Sequence, residues 1–420
     1  MQARTPSQTE PGYKQSNSLP LQQSIPWWTG VDPAVVAELK LPPAREVPLQ
    51  FIDVAIIGGG VAGLSAALGV KKWAASANVL VLEKEDMLGY GATGRNAGIL
   101  TPGINMGMAE LPPGSEAASY YPETTSIFYA LIEEAALPGA ILSASRTGAI
   151  CLAESARAAY KLEREVRTRL AAGLRAELWT MSQVIEATQG RLNVQSVVQA
   201  LWLPDEGRIH PLTLLAHLAK QARVRWLVQI AGQADVIHYQ EVEWMAKRQN
   251  HWQLTLTDGT TFLARGLINC VGPMVEANAR IYALAFTAEF PGGFPLFWDA
   301  SLYTYADYRP GNGRLGVSGG RYGKAGMTRN DAAYYRRLAD ATRHWLPELN
   351  GKEPDFTWAV DLAVTPEILP ELRVLSDTAP GVAIEGLGAH GVLPGMVLGQ
   401  RAGAYIVSQL VSQLVNQLVS

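Results

Sequence analysis

The sequence predicts a mixed α/β protein: a doubly wound unit of helices and strands, interrupted by a unit of longer antiparallel strands. Three observations carry this. Residues 51–83 read as strand, glycine turn, helix and strand, the length of one βαβ unit. Helix–strand alternation returns later in the chain. Enclosed by it, the stretch 285–322 is aromatic and glycine-rich, with the alternation of strands.

Taken in order, "IPWWTGVDPAVVAELKLPP" (Ile25–Pro43) reads as an ordered arm, because Trp27 and Trp28 are costly to leave in water. Phe51–Ile57 is a short β-branched strand ending on glycine, Val61–Ser76 a helix rich in Ala and Leu, and Ala77–Leu82 the next strand. Residues 102–125 read as loop, Thr125–Ala136 as helix and Ser145–Leu152 as strand. Ala153–Ala172, dense in Arg and Glu, and Met181–Ala187 read as helices. After "PDEGRIHP" a helix is expected over Leu212–Ala222, with Pro211 suited to its first turn. Val224–Ala264 breaks into short strands, "HWQLTLTDGTTFLAR" being a hairpin that turns at Asp258-Gly259. "GLINCVG" (Gly266–Gly272) is one more buried strand. Asn330–Leu346 is helical, "DFTWAVDLAV" a strand, and "GVAIEGLGAHGVLPG" a strand followed by a glycine turn. The last helix runs from about Leu398 to the end.

Composition narrows the classes. With 420 residues, 48% of them apolar and 17% charged, the chain can bury two cores or one elaborate one. A formal charge of −3 gives no reason to expect nucleic acid. Cys151 and Cys270 sit in apolar strand-like runs and read as reduced thiols. Residues 1–26 are polar, lack the apolar region of a secretory signal, and read as disordered. No apolar run approaches the ~18 residues of a membrane span. A soluble, cytoplasmic protein is the expectation.

Gly58, Gly60 and Gly63 fit G-x-G-x-x-G between a strand and a helix. Gly58 permits the tight turn, Gly60 lets backbone approach a pyrophosphate, and Gly63 lets helix and strand pack closely. The helix start offers free N–H groups and a partial positive charge to that pyrophosphate. Glu83, at the end of the second strand, could accept both ribose hydroxyls of an adenosine and repels a 2′-phosphate. FAD or NAD remains. "GYGATGRNAGILTPG" (Gly89–Gly103) is a second glycine-rich loop directly downstream, where the longer cofactor would continue toward its flavin.

With that loop, the chain resembles the D-amino-acid-oxidase-like superfamily of FAD enzymes, which includes glycine oxidase, sarcosine oxidase and γ-glutamylputrescine oxidase. "GATGRNAG", "PDEGRIHP", "INCVG" and "EGLGAHGVLPG" are similar to its motifs and stand in its order, over about residues 50–410. The resemblance implies a discontinuous Rossmann-like FAD-binding domain (27–140, 196–284 and 357–420) and an α+β antiparallel substrate domain (141–195 and 285–356). It implies non-covalent FAD held by Gly58, Gly60, Val61, Ala62, Gly63, Glu83 and Lys84. From the second loop it adds Gly91, Ala92, Thr93, Arg95, Asn96, Ala97 and Gly98. Val236, Cys270 and Gly272 follow from later strands, and Gly388, His390, Gly391 and Val392 from the closing turn. The implied reaction is oxidation of a C–N bond to an imine by hydride transfer to flavin N5. Dioxygen then reoxidises the flavin and hydrogen peroxide is released.

The departures bear on the substrate. Amino-acid-oxidising relatives hold a carboxylate with arginine on the strand matching "TWAVDLAV", and glycine oxidase adds one in the closing turn. Here those neighbourhoods hold Asp361, Leu362, Ala363 and Leu387, Gly388, Ala389. A guanidinium clamp is hard to replace, and Asp361 suits a cation, so a small or polyamine-derived amine is expected. Arg309 or Arg321 could restore a clamp and keep an amino-acid substrate open. Tyr303, Tyr305 and Tyr308 are read as sharing one strand face that walls the pocket, with His390 at the flavin turn.

Other signals are weaker. Gly316–Gly320 matches G-x-S-x-G, but no helix follows, which argues against a serine hydrolase. The six histidines show no metal spacing. Val407, Leu410, Val411, Leu414, Val415, Leu418 and Val419 form one stripe of the last helix. Its first turns are expected to pack on the FAD domain; the distal ones could meet a second copy or, lacking Lys and Arg, less readily a membrane surface. Two competing readings stay open: a non-catalytic flavin-binding or sensing protein, and a peripheral component passing electrons to a quinone.

Overall fold

The computed structural model describes residues 25–47, 52–104, 106–244, 249–271, 277–301, 303–309, 311–364 and 369–419. Two large sheets and a small one organise them. The apolar strand Ile52–Ile57 is central to the first sheet. It pairs in parallel with Val79–Leu82 on one side and Thr261–Asn269 on the other, and the Val61–Trp73 helix connects the first two as a βαβ crossover. Gln229–Ala231 extends the sheet beyond Val79–Leu82.

In Thr261–Asn269 two expected elements become one. The second arm of the Asp258-Gly259 hairpin runs straight on into the "GLINCVG" segment. The first half pairs antiparallel with Gln249–Leu256, the second parallel with Gly381–Glu385. Burial changes from alternating to continuous at the same place, as expected where one side of a sheet edge becomes the middle of a parallel sheet. Gly272 lies outside the described residues.

The second sheet runs, in spatial order, Phe356–Leu362, Ala279–Thr287, Arg314–Lys324, Thr304–Arg309, Leu296–Asp299, Ala149–Ala153, Gln199–Leu203 and Glu177–Trp179. Its pairs are antiparallel except Leu296–Asp299 with Ala149–Ala153. The expected divisions at 196, 285 and 357 therefore do not coincide with the changes of sheet. Gln199–Leu203, all of Ala279–Thr287 and Phe356–Leu362 belong to the second sheet. Local pattern marks a strand as buried without saying which sheet receives it. A small sheet of Ile99–Leu100, Gly207–Ile209 and Ala144–Arg146 ties the second glycine loop to the chain's return from the second sheet.

Two helices are longer than expected. Ser115 caps Glu116–Ala135 by accepting the Ala118 N–H, and Pro122 sits inside that helix. Burial of Tyr120 and Tyr121 outweighs the bond the proline deletes. The last helix is Val392–Val419, starting six residues early, with Pro394 in the first turn, where no N–H partner is lost. It crosses Val61–Trp73 at close range. A Cβ on Gly399 would lie 2.4 Å from the Ala62 carbonyl oxygen, and one on Gly403 2.5 Å from the Val70 nitrogen. Its apolar stripe divides after Leu410: Val407 and Leu410 are buried, whereas Val411, Leu414 and Val415 are about half exposed. The side chains of Leu418 and Val419 are outside the described set. No helix among the described residues is long and apolar enough to cross a membrane. At the other end, Ile25 and Pro26, expected to be disordered, are buried with Trp27 and Trp28, and residues 1–24 are outside the described range.

Candidate cofactor site and substrate cavity

Gly58 has φ +98°, and a Cβ on Gly63 would stand 1.9 Å from the Gly58 carbonyl oxygen. The helix can start at Val61 only because both positions are glycine. The second loop repeats this. Gly89 has φ +104°, a Cβ on Gly94 would stand 1.9 Å from the Gly89 oxygen, and a short helix starts at Ala92. "GGGVAG" and "GYGATG" are two G-x-G-x-x-G turns, a repetition present in the sequence but not noticed by pattern reading. The turns meet: the Val61 N–H donates to Thr93 Oγ1 at 3.2 Å. Two helix starts converging on one spot, with Gly60 and Gly91 between them, fit a pyrophosphate.

Glu83 sits beside the first turn. Its Oε2 accepts the Gly59 N–H at 2.8 Å and its Oε1 the Glu85 N–H at 3.3 Å. Burial raises its carboxyl above the ordinary range, against the pull of those two bonds. Lys84 is largely exposed and 3.8 Å from Glu85. The Ala234 N–H donates to the Glu83 carbonyl, which brings the strand starting at Val236 to this end of the site. Cys270 closes the other side: its N–H bonds the Ile57 carbonyl, its own carbonyl lies against Gly58, and burial raises its thiol.

Beyond the second turn, Asn96 orders the chain, with Oδ1 accepting the Gly98 N–H at 2.6 Å and Nδ2 donating to the Thr93 carbonyl. This segment and the closing turn at Ala389–Leu393 line a cavity of about 400 Å³. Trp298, Tyr303, Tyr305 and Ser318–Gly320 line it too, with Ile104, Met106, Gly107, Ala109 and Glu110. His390 lines the cavity 6.3 Å from the Tyr305 ring, and burial lowers its pKa. The G-x-S-x-G match lies within the strand Arg314–Lys324, which runs on for four residues past Gly320 where a nucleophile elbow would start a helix.

Three of the substrate-side candidates, Tyr303, Tyr305 and His390, therefore line the cavity; the other four do not. Tyr308 has the wrong parity for their face and packs in the core against Phe290, 5.1 Å away. Arg309 turns to the backbone, donating to the Gly98 carbonyl at 2.6 Å and pairing with buried Asp307 at 3.2 Å. Arg321 is exposed. Asp361 is neutralised by Arg280 at 2.9 Å, and Arg280 also holds Asp331. Asp361 is therefore no free acceptor for a cation.

The charged groups lining the cavity, Glu110, Lys161, Arg164, Glu165, Arg169 and Glu206, are not among the candidates expected from the sequence, and Glu165, Arg169 and Glu206 are buried. Glu206 is 1% exposed, burial pushes its carboxyl up to about 8, and its Oε1 has no partner among the described residues. Thr101 Oγ1 lies 3.5 Å from its Oε2. Arg169 is buried over the Tyr121 ring, 5.0 Å from its centroid. Its Nε donates to Glu165 Oε1 at 2.7 Å, and its guanidinium also engages the Tyr121 hydroxyl. Glu165 also accepts the Met108 and Ala109 N–H groups. The signal for this pair was the buried stripe Ala158, Leu162, Glu165, Val166, Arg169, which keeps helical spacing through two charges.

No curated protein matches in sequence. Solved structures share the fold at low identity. L-proline dehydrogenase from P. horikoshii aligns over 88% of this chain and 95% of its own, with TM-score 0.70 and 17% identity. Glycine oxidase from Geobacillus kaustophilus covers 86% and 94%, with TM-score 0.68 and 22% identity. Iminodiacetate oxidase from Chelativorans sp. BNC1 covers 84% and 95%, with TM-score 0.66 and 20% identity. The model of the FAD dependent oxidoreductase (DAO) family matches residues 53–404, from the first strand of the glycine turn into the last helix. With paired turns that fit a dinucleotide and a cavity at the far end of them, the chain belongs to that family of FAD-binding oxidoreductases.

Proposed function

We propose that the chain oxidises the C–N bond of a small amine that carries a carboxylate, an amino acid or N-substituted amino acid, in the cytoplasm. The observation that carries this is Arg169. It places a guanidinium edge at the cavity that the sequence reading did not find there, and a planar fork of donors suits a carboxylate. Trp298 and Tyr305, stacked at 5.2 Å, supply an apolar wall that excludes water from the reacting carbon. FAD supplies the two-electron acceptor, held without a covalent link by the paired turns, and dioxygen takes the electrons to give hydrogen peroxide. Free Cys151 and Cys270 accord with a reducing compartment. The first sheet would serve the cofactor and the second the substrate.

A second reading is a simple or polyamine-derived amine, favoured by the Glu206 carboxyl at the cavity and by the lack of arginine on Phe356–Leu362. Anaerobic bleaching of the flavin across amines, polyamines, amino acids and N-alkyl amino acids separates the two. Arg169→Met should raise KM for the best carboxylate substrate by about 100-fold and leave residual amine oxidation unchanged. Fast bleaching by amines alone, insensitive to Arg169→Met, refutes the first reading. Bleaching with no peroxide on readmitting air assigns a quinone or another acceptor instead.

A further inference from the structure

The family match begins at residue 53, yet Ile25–Trp28 is buried deep in the molecule, at the exit of the second glycine turn. Trp27 Nε1 donates to the Asn96 carbonyl at 2.7 Å. Trp358 Nε1 donates to the Arg95 carbonyl at 2.7 Å, and Arg309 Nη2 to the Ala97 and Gly98 carbonyls at 3.3 and 2.6 Å. The consecutive carbonyls 95–98 are thus held by side chains from three distant segments. Those donors meet on Trp27: the Arg309 guanidinium lies 4.4 Å from its ring centroid, and the Trp358 ring meets it edge-on at 6.4 Å. Arg314 ties the arm down by donating to the Pro26 carbonyl at 3.2 Å. Trp28 provides the contrast. It stacks on Tyr90 at 5.6 Å, while its own Nε1 has no partner among the described residues.

We propose that Ile25–Trp28 is a cofactor-retention strap, in which Trp27 acts as a positioning residue that fixes the Arg95–Gly98 backbone bordering the FAD site. A peptide whose carbonyl is pinned in a dry setting does not rotate. The loop is then ordered before the cofactor arrives, so its ordering cost is not charged to binding. The arm lies outside residues 53–404, which the family model matches, and retention by this route is independent of the substrate.

The test compares two substitutions in the holoenzyme. Trp27→Phe keeps an aromatic ring under Arg309 and deletes the donor; Trp28→Phe keeps a ring on Tyr90 and deletes an indole N–H that has no partner among the described residues. FAD release on dilution is read as the gain in free-flavin fluorescence, beside thermal melting. Trp27→Phe should release FAD roughly tenfold more readily, and Trp28→Phe within about twofold of the wild type. Equal retention by Trp27→Phe and wild type overturns the proposal. Equal weakening by both variants does so too, since the arm would then be packing alone. If Trp27→Phe does not fold, Arg314→Gln decides: it loosens the arm without touching Trp27, and unchanged FAD release in it also overturns the strap.

Discussion

At Gly58–Gly63 and again at Gly89–Gly94 the chain makes the same turn, with a positive-φ glycine, an extended glycine before the helix, and a third glycine packed on the first one's carbonyl. What surrounds them differs. The first turn leads into the Val61–Trp73 helix and takes its carboxylate, Glu83, from the adjoining strand. The second leads into a helix of four residues, and its exit is held by Trp27, Arg309 and Trp358. The first is specified by about thirty neighbouring residues, as a βαβ unit is. The second borrows its rigidity from three remote parts of the chain.

The strongest way to break that comparison is to add a methyl group to the same position of each turn. In Gly63→Ala and Gly94→Ala the new Cβ meets a backbone carbonyl at 1.9 Å, so each should lose more than about 3 kcal/mol and its flavin. The outcomes should still differ. Gly63→Ala disrupts the strand–helix junction on which the first sheet is built, and should express as unfolded protein. Gly94→Ala should keep a native far-UV spectrum while purifying colourless. A yellow Gly94→Ala protein would show that the second turn does not need its tight form.

The same contrast explains what could be read from the sequence. Gly58, Gly63 and Glu83 were legible because a backbone requirement writes itself as residue identity at fixed spacing. The cavity was not. Arg169 looks like one more charge in an Arg/Glu-rich helix, and Glu206 like a polar loop residue, until the second sheet buries them. Asp361 and Arg309 failed in the opposite sense. Their charges suggested substrate contacts, but Arg280 and the loop carbonyls had already taken them. Which charges remain free is a property of pairing across the fold, and spacing does not record it.

Glu206, immediately before the small-sheet strand Gly207–Ile209, turns this into a pH prediction. Its folded pKa of about 8 lies above the ordinary 4.5, so the folded state favours the protonated carboxyl. The stability this contributes is whole below pH 4.5 and is lost as pH rises toward 8. Glu206→Gln stays neutral throughout. It should lie at or below the wild type in denaturant melts near pH 4.5 and gain about 4 kcal/mol on it by pH 8, since the cost of an incompletely bonded amide is the same at both. Parallel pH profiles for the two proteins would mean that Glu206 is ionised in the folded state.

The smallest effect on stability is the most informative about the cradle. Gly60 and Gly91 occupy the same place in their turns, both in extended conformations open to any residue. A Cβ on Gly60 would stand 3.1 Å from Thr93 Oγ1, whereas one on Gly91 would meet no described protein atom within 4 Å. Gly91→Ala should therefore leave the fold intact, and by restricting the unfolded chain should stabilise flavin-free protein by about 0.5 kcal/mol. No described residue requires glycine there; a pyrophosphate between the two helix starts would, since backbone must approach it closely. FAD affinity should accordingly fall by about tenfold or more in Gly91→Ala, while thermal melts without flavin rise slightly. For Gly60→Ala both quantities should fall, because Thr93 must give way before the cofactor is considered. Unchanged FAD affinity in Gly91→Ala would remove the second turn from the cradle and leave the pyrophosphate to Val61–Trp73 alone.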